Sequence, residues 1–148
     1  MNAHAKLTVD RTTHSIVLVR TIAGSREEVF DAWTKPEQVT EWWDPSGSPL
    51  AECSIDLRPG GAFKFLHQGT AYAFSGVYRE ITPPQRLVFD ANGAVGTVSL
   101  EAGHDTTWLT VTIVCRSSEH LDQFLKMGVD AGTSSTLDNL VRYIDGKG

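Results

Sequence analysis

The sequence predicts an α+β protein in which a curved antiparallel β-sheet wraps around a long C-terminal helix, with two short helices after the first strand. Three observations carry this. Turn signals at Arg58-Pro59-Gly60-Gly61, Gly69-Thr70, Pro83-Pro84, Asn92-Gly93 and Gly103-His104-Asp105 separate about six strand-like stretches between Leu50 and Cys115. No crossover helix lies between these stretches, so the strands pair antiparallel. Glu119 to Asp145 is the only segment long enough to be a helix that spans a small domain.

In chain order, Met1 to Thr13 is polar and without period and is expected to be a loose tail, leaving residues 14–148 as a single domain. Ser15 to Ile22 is a β-branched run and the first strand. Ser25 and Glu28 have the spacing of a capping box, in which each side chain satisfies the other's backbone N–H, and a short helix to Trp33 follows. Pro36 suits the first turn of a second short helix, Pro36 to Trp43, closed by Asp44-Pro45. Cys53, Ile55 and Leu57 alternate with Glu52, Ser54 and Asp56. Phe63, Phe65 and His67 then share one parity of the next strand. Tyr72 to Ile81, Arg86 to Asp90, Val95 to Ala102 and Thr107 to Cys115 complete the sheet, and Ser117-Ser118 can cap the final helix.

Read at about 100° per residue, the final segment carries two apolar stripes. Leu121, Phe124, Leu125 and Gly128 form one; Leu137, Leu140, Val141 and Ile144 lie almost opposite. Traced back toward the N-terminus, the second stripe turns polar at Thr133, Asp130 and Lys126, beside the small residues Gly128, Ala131 and Gly132. This predicts a helix whose C-terminal half packs a core and whose middle borders a cavity.

The 148 residues suit one domain that can bury a core without staples. A net charge of −5 and the lack of a basic stripe argue against a nucleic-acid surface. No apolar run reaches membrane length and no apolar signal core opens the chain, so the expected compartment is the cytoplasm, with Cys53 and Cys115 as free thiols. No His falls at a ligand spacing with Cys, Asp or Glu, and there is no nucleophile elbow or phosphate-binding glycine loop. No cofactor or metal is predicted, and a homodimer is left open.

Several motifs in one order resemble the family of homologues of the activator of heat-shock-protein-90 ATPase, within the START-like, or SRPBCC, superfamily. They are Glu28-Val29-Phe30-Asp31-Ala32-Trp33-Thr34, Pro36-Glu37, Trp42-Trp43, Asp56-Leu57-Arg58-Pro59-Gly60-Gly61, and Gly76-Val77-Tyr78-Arg79-Glu80-Ile81 followed by Pro83-Pro84 and Arg86-Leu87-Val88-Phe89. The resemblance runs from Ser15 to Ile144. It implies a helix-grip fold with a cavity between the sheet and the last helix. Where the family pattern in that helix reads Gly-Met-Glu-Ala-Gly-Trp, this chain has Gly128-Val129-Asp130-Ala131-Gly132-Thr133. Thr133 in place of a large Trp implies a roomier pocket.

The candidate site follows from these placements. Asp130, on a stripe continuous with Leu137 and Leu140, is either a partly desolvated polar anchor or, if the helix rotates or bends at Gly128, a solvated residue, and Met127 and Thr133 stand beside it. His67 shares parity with Phe63 and Phe65 and either faces the cavity or sits at its rim. Trp42 and Trp43 form a lip or pack the core, and Phe63, Phe65, Tyr72, Phe74 and Phe89 are wall or core. His104 and His120 are expected to be exposed. The expected function is binding of a small, mostly apolar molecule. The alternatives are a cyclase-like or hydrolytic enzyme using Asp130 or His67, and a chaperone-associated interaction module, which calls for an exposed apolar patch and little internal volume.

Overall fold

A computed structural model describes residues 5–69 and 73–147. Its elements are β1 (Ala5–Asp10), β2 (Ser15–Ile22), α1 (Arg26–Thr34), α2 (Pro36–Trp42), β3 (Glu52–Ile55), β4 (Ala62–Leu66), β5 (Ala73–Thr82), β6 (Arg86–Ala91), β7 (Ala94–Ala102), β8 (Thr107–Val114), α3 (Ser118–Lys126) and α4 (Val129–Lys147). The strands form one sheet in the order β1-β2-β8-β7-β6-β5-β4-β3. Every pairing is antiparallel.

The turn chemistry read from the sequence is present at Arg58-Pro59-Gly60-Gly61 and at Asn92-Gly93, while Thr70 of the Gly69-Thr70 turn lies outside the described residues. Gly60 has φ +86° and the Gly61 N–H donates to Arg58 O at 2.8 Å, as a type II turn with Pro59 leading requires. Asn92 and Gly93 both have positive φ between β6 and β7. The Ser25–Glu28 capping box closes in both directions. Register then builds the core. Ile16, Leu18, Arg20 and Ile22 of β2 oppose Ile113, Val111, Leu109 and Thr107 of β8. Those residues oppose Gly96, Val98, Leu100 and Ala102 of β7. Leu137, Leu140 and Ile144 of α4, all fully buried, belong to the same core. Each such side chain contributes about 1.5–3 kcal/mol relative to exposure.

Two expectations are corrected. The first 13 residues are not a loose tail throughout, because Ala5–Asp10 pairs along its whole length with β2. Its side chains are mostly exposed, so the backbone ladder rather than burial holds the strand, and its weak apolar signal concealed it.

The final segment is two helices. Gly128 has φ +77°, its N–H donates to Leu125 O at 3.1 Å, and the Met127 N–H donates to Gln123 O at 3.0 Å, which ends α3. The two apolar stripes belong to separate axes: Leu121 and Phe124 are buried in α3, and Leu137, Leu140 and Ile144 in α4. A change of axis accounts for the change of stripe without a cavity.

α4 is fixed to β2 by a buried cation. Arg20 is 3% exposed. Its Nε donates to Asp138 Oδ1 at 3.1 Å, its NH2 donates to Ser134 O and Oγ at 3.1 and 2.7 Å, and its NH1 donates to Val19 O at 3.0 Å. A guanidinium can leave water only when its donors are met in this way.

Candidate ligand-binding site

At the β4–β5–β6 end of the sheet, an aromatic slot lies under Trp33 and Trp43. Phe63 and Phe65 of β4, Phe74 and Tyr78 of β5, and Leu87 and Phe89 of β6 complete its lining. Two glycines shape the floor. Phe63 pairs across the strands with Gly76, where a Cβ would lie 2.7 Å from the Phe63 Cζ, and Phe89 pairs with Gly96, where a Cβ would lie 2.6 Å from its ring. Both rings therefore lie over bare backbone. Phe63 then meets Phe65, Phe74, Tyr78 and Phe89 with ring centroids 5.0–5.6 Å apart, the spacing at which aromatic pairs attract.

The roof comes from the helices. Trp42 is fully buried and its Nε1–H donates to Ala32 O at 3.0 Å, so it belongs to the core. Trp43 is half-buried and lies 4.9 Å from Phe65 and 5.2 Å from Phe74, ring centre to ring centre. α4 holds this corner by its carbonyls: Thr136 Oγ1 donates to Trp43 O at 2.9 Å and Asn139 Nδ2 to Asp44 O at 2.9 Å. The last helix thus reaches the slot through the Trp43-Asp44 backbone.

Beside Trp43, Asp44 Oδ2 and His67 Nδ1 are 2.8 Å apart, with both side chains about one-seventh exposed. Asp44 Oδ1 also accepts from the Ser46 N–H at 2.8 Å and from Ser46 Oγ at 2.7 Å. Burial pushes the Asp44 carboxyl up, but its bonds to His67 and Ser46 outweigh this and hold it below its ordinary value. A carboxylate on Nδ1 fixes the imidazole's orientation, the arrangement used by proton-transferring histidines.

The slot is nearly filled by its own rings. Its rings leave about 10 Å³ for the centre of a water molecule, room for about one. Its polar groups are few. Trp33 is 6% exposed and its buried Nε1 has no hydrogen-bond partner among the described residues. Burial, then the nearby Cys53, pushes the Tyr78 phenol up, so its hydroxyl stays protonated.

The structure brings together Trp43, Phe63, Phe65, Phe74 and Phe89 as slot lining, with His67 close by at the Trp43-Asp44 corner. It places others elsewhere. Met127 is 72% exposed at the helix break, because the αL turn at Gly128 points it away from both helix cores. Asp130 and Thr133 are half-buried on the first turns of α4 and neither lines the slot. Tyr72 lies outside the described residues. His120 is buried, not exposed: its Nδ1 accepts from the Arg116 N–H at 3.0 Å, which leaves Nε2 to donate to Asn92 O at 3.1 Å. His104 is fully exposed. Sequence reading missed Trp33, Tyr78, Leu87 and Asp44 as site residues. Strand parity could have found Leu87, which lies two residues before Phe89, while Asp44 required knowing that the Trp43 corner folds over β4.

An open antiparallel sheet gripping a C-terminal helix, with an aromatic slot between sheet and short helices, defines a helix-grip protein of the START-like kind. The chain belongs to the family described as activator of Hsp90 ATPase homolog 1-like protein, whose model matches residues 23–145. No curated protein matches it. It is similar in fold to protein NE0264 from Nitrosomonas europaea, with 22% identity, coverage of 90% of this chain and 95% of that one, and a TM-score of 0.81. Ms6760 from Mycobacterium smegmatis gives 20% identity, coverage of 97% and 98%, and 0.82. The AHSA1-like protein from Aeromonas hydrophila gives 24%, coverage of 88% and 93%, and 0.73. Among the described residues no helix is long and apolar enough to cross a membrane.

Proposed function

We propose that this protein binds a small, mostly apolar molecule in the aromatic slot, which widens when Trp43 and the rings beneath it move apart. The observation that carries the reading is convergence: side chains from α1, from the end of α2 and from three strands meet around a residual void. Aromatic walls with few polar groups are what apolar ligand sites are made of. The interaction-module alternative finds the little internal volume it needs, but among the described residues the exposed Trp108, Val114 and Val77 do not adjoin. Trp108 and Val114 are exposed at opposite ends of β8, and Val77 is three strands away. Native mass spectrometry of freshly purified protein, with titration of N-phenyl-1-naphthylamine, tests the reading. A retained molecule or saturable one-to-one binding is expected; neither would be seen if the slot were only core.

The Asp44–His67 pair favours a second reading, in which a ligand reaching the rim gives up or receives a proton there. Conversion of a retained molecule by the wild-type protein but not by His67→Gln is its expected result. An unchanged molecule with both proteins removes it.

A further inference from the structure

Resting on the ligand-binding reading, we infer that Trp33 is a specificity-determining contact: its indole N–H is the donor for a neutral hydrogen-bond acceptor, such as a carbonyl oxygen, on a flat aromatic ligand. Three observations converge. The Trp33 Nε1 is buried without a partner among the described residues, whereas that of its neighbour Trp42, whose ring centroid lies 4.8 Å away, donates to Ala32 O. A buried donor left unmet costs free energy that a ligand acceptor would recover. Trp33 also lines the slot, so its ring is part of the wall the ligand touches, and the buried donor is reached as the slot widens.

The remaining lining selects the rest of the ligand. Trp43, Phe63, Phe65, Phe74 and Phe89 offer ring faces and edges, and Trp43 and Phe74 are inclined by only 31°, a geometry suited to a planar guest. No Lys, Arg or His is in the lining, so a carboxylate or phosphate entering it would be desolvated without a counter-charge. A water molecule is a poor substitute for the acceptor. Of the eight lining residues only Trp33, Trp43 and Tyr78 carry side-chain polar atoms, and the two indoles can only donate, which is too few partners to satisfy a buried water well.

The test compares three probes of one shape, 2-acetonaphthone, 2-ethylnaphthalene and 2-naphthoate, on the wild type and Trp33→Phe by titration calorimetry. Trp33→Phe keeps an aromatic ring and removes the N–H. The ketone is expected to lose about 5- to 100-fold in affinity in the variant, as for an unmet buried hydrogen bond, and the hydrocarbon less than about threefold, which cancels their different solubilities. 2-Naphthoate is expected to bind the wild type roughly tenfold or more weakly than the ketone. Equal losses for ketone and hydrocarbon, or tightest binding by 2-naphthoate, would overturn the inference while leaving a ligand slot in place. Absence of binding by all three would instead overturn the ligand-binding reading, and this inference with it. Should Trp33→Phe fail to fold, the wild-type indole N–H resonance of Trp33 decides: a downfield shift with the ketone but not with the hydrocarbon supports the contact, and the same response to both refutes it.

Discussion

Asp44 Oδ2 accepts His67 Nδ1 at 2.8 Å across the corner where α2 ends, joining the roof of the aromatic slot to the strand beneath it. Because the carboxyl is held below its ordinary value when folded, its contribution to stability is fully present above the unfolded pKa of about 3.9. That contribution is lost as pH falls through the folded value. Asp44→Asn should therefore lower the unfolding free energy read from urea titration at pH 6, by roughly 1–3 kcal/mol for a nearly buried charged acceptor. The gap from the wild type should close as pH is taken below about 4. A gap that widens in acid would mean that the carboxylate is not stabilised by its partners.

Gly128→Ala separates one helix from two by its sign. In a continuous helix the change would stabilise by about 1 kcal/mol through helix propensity. At φ +77°, with nothing within 4 Å of the new Cβ, the same change should instead destabilise by about 1–2 kcal/mol from backbone strain alone. Thermal or urea midpoints give the sign directly.

Gly96→Ala puts a Cβ 2.6 Å from the Phe89 ring, so the ring must leave its seat. A loss of roughly 1–3 kcal/mol is expected. Adding Phe89→Ala should make the pair of changes less costly than their sum, because the clash is gone. Strict additivity in denaturant midpoints would mean that ring and glycine do not touch.

The thiols should be inert in the folded protein. Burial, and then Glu37, pushes Cys53 up to about 11, and burial also raises Cys115. At pH 8 Cys53 should alkylate with iodoacetamide about two orders of magnitude more slowly than a free cysteine of pKa about 8.5. Both residues should react on unfolding without reductant. Fast native labelling of Cys53 would place it in a more open environment than β3 provides.

Much of the fold was legible in the sequence because it is written locally. Ser25 with Glu28, Pro59 with Gly60, and Asn92 with Gly93 each specify a backbone geometry within a few residues, and each is found where expected. Strand parity likewise put Phe63 and Phe65 on one face. The helix break was legible only as one of two alternatives, since a Gly on an apolar stripe fits a continuous helix as well as a bend, and it is the αL conformation of Gly128 that ends α3. Asp44 and Trp33 were not legible as site residues, since their meaning depends on which strand the Trp43 corner covers. Arg20 looked like an ordinary polar residue in a strand, although it shares the parity of Ile16, Leu18 and Ile22 and spends its charge on holding α4.

The slot lies toward the β3 margin of the sheet, whereas the Arg20 clamp lies at β2, with three strands, β8, β7 and β6, between β2 and β5 in the sheet order. Such a layout makes the two parts separately mutable: side-chain changes at Trp33, Trp43 or the β4–β6 rings leave every bond of the Arg20 clamp to α4 in place.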